Sequence, residues 1–157
     1  MKVGIIGFGF VGQAVKNGLK SSVETISIDP KLQTSTKDLV NFKPEIIFVC
    51  VPTPLKENLS LDESIVFSVI QEIIELNIQS LIVLKSTILP NHLNVISQKL
   101  KRFIYNPEFL REKHANNDFI NSNLIVFGGS KKDIEKLKNF YKHYTKCKCK
   151  DYVETDI

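Results

Sequence analysis

The sequence has few residues of the kinds that build disulfide frameworks or metal sites, with three cysteines and three histidines among 157 residues. Three cysteines cannot all pair with one another, and Cys147 and Cys149 lack the spaced histidine or cysteine partners of a zinc site. Cys50 ends an apolar run, where a buried thiol is expected. The histidines are scattered along the chain and form no cluster. We therefore predict no metal site.

Long hydrophobic runs are also absent, since no segment approaches the ~20 apolar residues that span a bilayer. The chain starts MKVGIIGFGF, with one lysine and a short apolar run interrupted by glycines. This start lacks the small-residue cleavage site of a signal peptide. The two absences predict a soluble, cytoplasmic protein without a membrane partner.

The excess of positive charge is small, at a formal net charge of +4. Much of it lies in two segments near the C-terminus, residues 131–138 and 146–150. Neither segment forms a basic stripe interleaved with aromatic residues, and no known nucleic-acid-binding motif is evident. A solvated helix face and a basic tail account for the pattern. We therefore predict no nucleic-acid partner.

Short apolar runs alternate with helical patterns along most of the chain. The predicted strands cover Lys2–Gly7, Thr25–Asp29, Glu45–Val51, Leu81–Lys85, Phe103–Tyr105, Leu124–Phe127 and Tyr152–Val153. The predicted helices cover Phe10–Lys20, Leu61–Leu76, Asn91–Leu100 and Asp133–Tyr144. Near-continuous apolar strands between helices are typical of a parallel sheet covered on both faces. We therefore predict an α/β fold with a Rossmann-like doubly wound sheet in three αβα layers, forming a single domain over residues 1–157, with its ligand at the carboxyl ends of the strands.

Gly7, Gly9 and Gly12 form a G-x-G-x-x-G pattern between the first predicted strand and the first predicted helix. In a dinucleotide-binding loop the first glycine permits the tight turn, and the second lets a pyrophosphate approach the backbone. The third lets the helix pack closely on the strand. The start of that helix, at Phe10 and Val11, directs free N–H groups and its positive dipole end at the anionic bridge.

Asp29 closes the second predicted strand, 22 positions after Gly7, near the spacing of about 20 that such loops show. A carboxylate there is predicted to accept hydrogen bonds from the adenosine ribose hydroxyls. It also repels a 2′-phosphate, so the pattern favours NAD over NADP, although Lys31 weakens that preference. The alternative is a glycine-lined turn in an α/β protein that has lost its ligand.

Three further motifs each follow a predicted strand: VCVPTP over Val49–Pro54, KSTILP over Lys85–Pro90, and YNPEFLRE over Tyr105–Glu112. With these motifs the chain resembles the NAD-binding domain of the UDP-glucose/GDP-mannose dehydrogenase family. The resemblance extends from Lys2 to about Gly129. NPEFLRE is its most specific part, and VPTP and KST precede it in the family's order.

The resemblance implies a reaction and a set of site residues. The family oxidises the 6-hydroxyl of a nucleotide sugar such as UDP-glucose to a carboxylate, in two hydride transfers to NAD. Beyond the glycine loop, it assigns to the cofactor Val51, Pro52, Thr53, Pro54, Ser86, Thr87 and Glu112. It assigns to the sugar nucleotide Glu108, Phe109, Leu110, Arg111 and Glu112.

The resemblance also implies two catalytic residues. Thr87 helps to hold a catalytic water, and Glu108 acts in acid–base steps or in hydrolysis of a thioester. A carboxylate beside a water can serve as a general base. For Glu112 the alternative is a solvated capping residue on a short helical turn.

Other features of the family's reaction have no counterpart in this sequence. The reaction needs a cysteine that holds the aldehyde, a lysine and an asparagine on a long helix, and a second domain for the nucleotide. Cys50 precedes VPTP, and Cys147 and Cys149 precede the place of that helix, so none of them inherits the role. The connection over Pro30–Pro44 is shorter than usual, and Lys113 stands where the family has a glycine.

Three interpretations remain open at this point. The first is an NAD-binding domain that cannot complete the oxidation alone, either a short form or half of a split enzyme whose second chain supplies the rest. The second is a minimal one-step NAD-dependent alcohol dehydrogenase. The third is a non-catalytic nucleotide-binding or scaffold protein. Under the first, we also expect a homodimer or larger assembly, because apolar surface that the absent helix covers in the family is then exposed.

Overall fold

The computed structural model describes residues 1–157 as seven strands and six α-helices. The strands are β1 (Lys2–Ile6), β2 (Glu24–Ile28), β3 (Ile46–Val49), β4 (Leu81–Leu84), β5 (Phe103–Tyr105), β6 (Ile125–Gly129) and β7 (Tyr152–Thr155). The helices are α1 (Phe10–Gly18), α2 (Asp38–Phe42), α3 (Ser64–Glu75), α4 (Pro90–Lys99), α5 (Ala115–Ile120) and α6 (Lys131–Tyr144). No helix combines the length and the apolar character needed to cross a bilayer.

All seven strands form one sheet in the order β2-β1-β3-β4-β5-β6-β7. The strands from β2 to β5 in that order are parallel, so their carboxyl ends meet at one edge, here called the carboxyl edge. The order reverses between β1 and β3, and the crevice at such a reversal is the usual ligand site of a doubly wound sheet.

Helices cover the sheet on both faces, which confirms the predicted three-layer α/β fold. On one face α1, α5 and α6 bury a core that includes Phe48, Phe127 and Phe140. On the other face α2, α3 and α4 bury Ile47, Ile73 and other aliphatic side chains. The central strands β3 and β4 are buried on both faces, as their runs of β-branched and leucine residues predict.

The last two strands depart from the expected parallel arrangement. β6 runs antiparallel to β5, with Tyr105 opposite Gly128, and β7 is parallel to β6. The amino end of β6 therefore lies at the carboxyl edge, beside the end of β5. The sequence patterns also did not predict α2 and α5, which are five and six residues long.

Candidate functional site

The glycine loop joins β1 to α1 in close contact with the end of β3. Gly7 adopts φ +87°, a left-handed conformation that favours glycine, and a Cβ there would lie 2.5 Å from the carbonyl oxygen of Cys50. A Cβ on Gly12 would lie 2.1 Å from the carbonyl oxygen of Gly7. Only glycine fits at these two positions without a shift of the backbone.

Gly9 differs from its two neighbouring glycines, because a Cβ there would meet no atom within 4 Å. The open space lies at the start of α1, where the N–H groups of Gly9, Phe10, Val11 and Gly12 donate no hydrogen bond within the protein. Free N–H groups and the positive end of a helix dipole together attract anions. The loop therefore has the space and the donors that a dinucleotide pyrophosphate requires.

Asp29 connects the end of β2 to the glycine loop. Its Oδ2 accepts a hydrogen bond from the Phe8 N–H at 2.8 Å, and its Oδ1 accepts one from the Lys31 N–H at 2.9 Å. These two bonds, that from Phe8 first, lower the pKa of the carboxyl group. Each oxygen keeps a second lone pair, so the carboxylate can still accept hydrogen bonds from ribose hydroxyls.

The VPTP loop leaves the end of β3 next to the glycine loop. Val51 is buried, whereas Pro52 and Pro54 are exposed and Thr53 is half-buried. The hydroxyl of Ser86, at the end of β4, donates a 2.7 Å hydrogen bond to the carbonyl oxygen of Val51. Ser86 is itself buried, so it joins the two loops from inside and does not face solvent.

Thr87 follows Ser86 and is exposed at the carboxyl edge. The chain after it is held by Glu63, a buried residue just before α3 that the sequence analysis did not identify. Glu63 Oε1 accepts a 2.6 Å hydrogen bond from the Leu89 N–H, and Oε2 contacts Nδ1 of His92. Its carboxylate therefore links the start of α3 to the start of α4.

Lys85 and Asn106 form a buried polar network between the ends of β4 and β5. The Lys85 amine lies 3.1 Å from the Asn106 carbonyl oxygen and 3.2 Å from Oδ1 of the same residue. Tyr141 of α6 donates a 2.7 Å hydrogen bond to that Oδ1. Burial lowers the pKa of Lys85 and raises that of Tyr141. Lys85 and Asn106 both lie within the motifs, but the sequence indicated no role for either of them.

Glu108 lies two residues beyond Asn106 in the segment 106–112, here called the NPEF loop, and is half-buried. Its Oε2 accepts a 2.5 Å hydrogen bond from the N–H of Leu110, so the carboxylate folds over its own loop. Phe109 projects into solvent, with 67% of its surface exposed, whereas Leu110 packs against the core of the α1 face. The loop therefore presents one carboxylate and one exposed aromatic ring.

Arg111 joins the same loop to α5. Its N–H and Nε each lie 3.0 Å from Oδ2 of Asp118, and its guanidinium also lies 2.8 Å from Oδ1. The Arg111 side chain holds the pKa of Asp118 at about 2. Glu112 begins a 3-10 helix over Glu112–His114 and is exposed. The Glu112 side chain forms no hydrogen bond within the protein.

The three cysteines are free thiols. Cys50 is buried as expected, and burial raises its pKa to about 12. Burial also raises the pKa of Cys147 and of Cys149. A raised pKa disfavours the thiolate, which is the nucleophilic form of cysteine. The structure contains no group of three or more His, Cys, Asp or Glu side chains that could hold a metal.

The predicted loops form one connected row across the carboxyl edge. Asp29 binds the glycine loop, Gly7 contacts the end of β3, Ser86 binds Val51, and Lys85 binds Asn106. A cavity of about 130 Å³ lies at the opposite edge of the sheet, and none of the predicted site residues lines it. The predicted residues are therefore gathered at one edge, where a parallel sheet places its ligand.

The profile of the UDP-glucose/GDP-mannose dehydrogenase family, NAD binding domain, matches residues 13–145 of this chain. A UDP-glucose 6-dehydrogenase of Rickettsia bellii is 41% identical over 98 residues, an alignment that covers 58% of this chain and 23% of that protein. The chain thus spans less than a third of the length of the curated relatives it matches.

Two solved structures show the same fold. A GDP-mannose dehydrogenase of Pseudomonas aeruginosa, solved as a ternary complex, matches with a TM-score of 0.75 at 22% identity, covering 100% of this chain and 47% of that one. A UDP-glucose dehydrogenase of Pyrobaculum islandicum matches with a TM-score of 0.77 at 20% identity, covering 99% and 46%. At these identities the likeness concerns the fold alone.

Proposed function

The chain belongs to the UDP-glucose/GDP-mannose dehydrogenase family, of which it is the NAD-binding domain, and from that membership we propose that its carboxyl edge binds NAD for oxidation of a nucleotide sugar. The membership confirms the predictions of the family and of NAD as the cofactor. The assignment of individual residues, and of residues 1–157 as one domain, is part of the proposal.

The observation that carries the proposal is the contrast among the three glycines. Gly7 and Gly12 are closed in by the backbone, whereas Gly9 faces open space beside four free N–H groups. In the proposed complex the diphosphate of the cofactor occupies that space and accepts hydrogen bonds from those N–H groups. The Asp29 carboxylate, held by the Phe8 N–H, accepts hydrogen bonds from the adenosine ribose hydroxyls. Its negative charge repels a 2′-phosphate.

Further residues are assigned along the edge from this starting point. Val51, Pro52, Thr53 and Pro54 form the remainder of the cofactor site, and Ser86 contributes to it by holding the backbone of the VPTP loop in place. The chemistry that NAD supplies is acceptance of a hydride from an alcohol carbon. Glu108 accepts the hydroxyl proton, and exposed Thr87 holds a water through its hydroxyl.

The substrate side of the proposal lies on the NPEF loop. Phe109, Leu110, Arg111 and Glu112 form one wall for a sugar nucleotide of the UDP-glucose type. The Arg111–Asp118 pair fixes this wall to α5, and exposed Phe109 offers a stacking surface for a base or sugar ring.

The rest of the reaction is proposed to need groups from outside these 157 residues. The thiol pKa values of Cys50, Cys147 and Cys149 are all raised, which makes each a poor nucleophile. We propose that a second polypeptide supplies the thiol and the nucleotide-binding half. We also propose that the chain self-associates as a dimer or larger species. The proposed location of the protein is the cytoplasm. Static light scattering tests the self-association, and a clean monomer would contradict it.

The first experiment is a titration of the purified protein with NADH and with NADPH, followed by fluorescence. We expect saturable NADH binding that the Asp29→Ala variant weakens about tenfold or more, because hydrogen bonds to a charged group are lost. The same variant also removes the repulsion of the 2′-phosphate, so its preference for NADH over NADPH falls.

The preference ratio separates ribose recognition from damage to the loop, since a distorted loop weakens both cofactors equally. Asp38→Ala is the matched control, because this exposed carboxylate also accepts a backbone N–H, that of Ser35, away from the glycine loop. It should leave both affinities unchanged. Absence of NADH binding up to millimolar concentration would refute the proposal and favour a scaffold.

Turnover with UDP-glucose distinguishes the remaining alternatives. The proposal predicts no steady NADH production by these 157 residues alone, and production once a chain that carries a nucleotide-binding half and a reactive cysteine is added. Steady turnover by this chain with an added alcohol would instead favour the minimal one-step dehydrogenase.

A further inference from the structure

Lys85 has a buried amine that forms no ion pair. Its residue surface is 4% exposed, and none of the seven ion pairs in the structure includes it. Its amine contacts the two oxygens of a single residue, Asn106. Taking an ammonium group out of water is costly, and a well-packed apolar side chain of similar volume avoids that cost. Stability alone therefore does not explain a lysine at this position.

Asn106 is fully buried, and its remaining polar groups are also engaged. Its N–H donates to the carbonyl oxygen of Leu84 at 2.8 Å, and its Nδ2 donates to that of Val126 at 2.9 Å. With Tyr141 bound to Oδ1, contacts from β4, β6 and α6 converge on this one residue. Asn106 is therefore a fixed point at the end of β5.

The fixed point lies directly before the NPEF loop. Pro107 follows Asn106, and the ring of proline restricts the backbone between Asn106 and Glu108. Lys85, Asn106 and Glu108 also line one small pocket. Burial lowers the pKa of Lys85, and Cys50 and, after it, Glu108 oppose that lowering.

We infer that Lys85 is a positioning residue for Glu108: by holding both oxygens of Asn106, its amine fixes the start of the loop that carries the candidate acid. The inference deepens the proposed function, since it is there that Glu108 has a chemical role. It assigns Lys85 no contact with the cofactor or the substrate.

Amide hydrogen exchange at Leu110 tests the inference, because that N–H donates to Oε2 of Glu108 and reports on the loop. In Lys85→Met we expect exchange at Leu110 to be about tenfold faster or more, while amides in β1 and α3 stay within about twofold of wild type. Tyr141→Phe is the matched control. It removes another buried donor to Asn106 Oδ1 but leaves both contacts of Lys85, so exchange at Leu110 should rise clearly less than in Lys85→Met.

Lys85→Gln provides a second variant should Lys85→Met fail to fold. Its shorter amide can donate to one Asn106 oxygen, and we expect exchange at Leu110 between wild type and the methionine variant. Unchanged exchange at Leu110 in a folded Lys85 variant, or an equal rise at Leu110 and in β1, would overturn the inference. NADH affinity is measured on the same samples and is expected to be unaltered, so that loss of the proposed function is detected separately.

Discussion

The N–H of Phe8 and the carboxylate of Asp29 are 2.8 Å apart and hydrogen bonded, which makes the glycine loop and the acid that follows β2 a single unit. The acid is therefore placed for the ribose by the same loop that offers its N–H groups to the diphosphate. Two parts of the cofactor are recognised by one connected piece of backbone.

This bond predicts an acid-dependent contribution to stability. The folded-state pKa of Asp29 is lowered from 3.8, so its contribution is present above about pH 4 and is lost as the pH falls through the folded value. Asp29→Ala should lower the free energy of unfolding by about 1 kcal/mol at pH 6, the usual value of such hydrogen bonds. Urea unfolding of both proteins at pH 6 and pH 3 measures the effect. A gap between them that does not narrow at pH 3 would contradict the assignment.

Substitution by alanine is predicted to have opposite effects at Gly9 and Gly12, weakening NADH binding at the first and stability at the second. Gly9→Ala places its Cβ in open space, so the free energy of unfolding should change by less than about 0.5 kcal/mol. NADH affinity should nevertheless fall about tenfold or more, because the methyl group occupies the space assigned to the diphosphate. Gly12→Ala should lower stability by about 1–3 kcal/mol, since its Cβ meets the Gly7 carbonyl. Thermal unfolding and NADH titration of both variants check the contrast, and tight NADH binding by Gly9→Ala would place the diphosphate elsewhere.

Ser86 and Thr87 are adjacent but are predicted to differ in what they support. Ser86→Ala removes a buried donor to the Val51 carbonyl and should cost about 1–3 kcal/mol of stability. Thr87→Ala changes an exposed side chain and should leave stability within about 0.5 kcal/mol. Urea midpoints of the two variants test this order. Equal losses in both would show that the Ser86 hydroxyl does not join the loops.

Cys50 predicts a loss of stability in alkali. Its pKa is raised to about 12 in the folded state, so its contribution is complete below the unfolded value of 9.0 and declines as the pH rises above it. At pH 10 the decline is about 1.4 kcal/mol. Subtracting the urea stability of Cys50→Ala from that of wild type between pH 8 and pH 10 isolates this effect from the other titrating groups. A constant difference would mean that the thiol is not shielded from water.

The sequence predicted the elements whose patterns are long or chemically distinctive. β3 and β4 are continuous apolar runs, and the glycine spacing identified the loop before α1. α2 escaped prediction because its five residues complete little more than one turn, and Leu39 alone among them is buried. α5 buries just Ala115 and Phe119, too few positions to establish a helical period.

Direction and contact were harder to predict than element type. Nothing in Ile125–Gly129 indicates that β6 runs antiparallel to β5, because an apolar strand reads the same in either direction. Lys85 follows an apolar strand, where a lysine usually marks the exposed end of the element. Its burial becomes evident once Asn106 and Tyr141 are placed beside it. Glu63 and His92 likewise lie far apart in the sequence and meet through the packing of α3 and α4.

The Lys85 amine is bound by two uncharged oxygens of Asn106, so its contacts at the carboxyl edge do not depend on a partner's charge. A salt bridge loses its attraction when either member changes its charge. A carbonyl and an amide oxygen require N–H donors, and a lysine amine keeps two of its three when it loses a proton. The contacts that hold the start of the NPEF loop therefore persist through a change in protonation that would break a salt bridge.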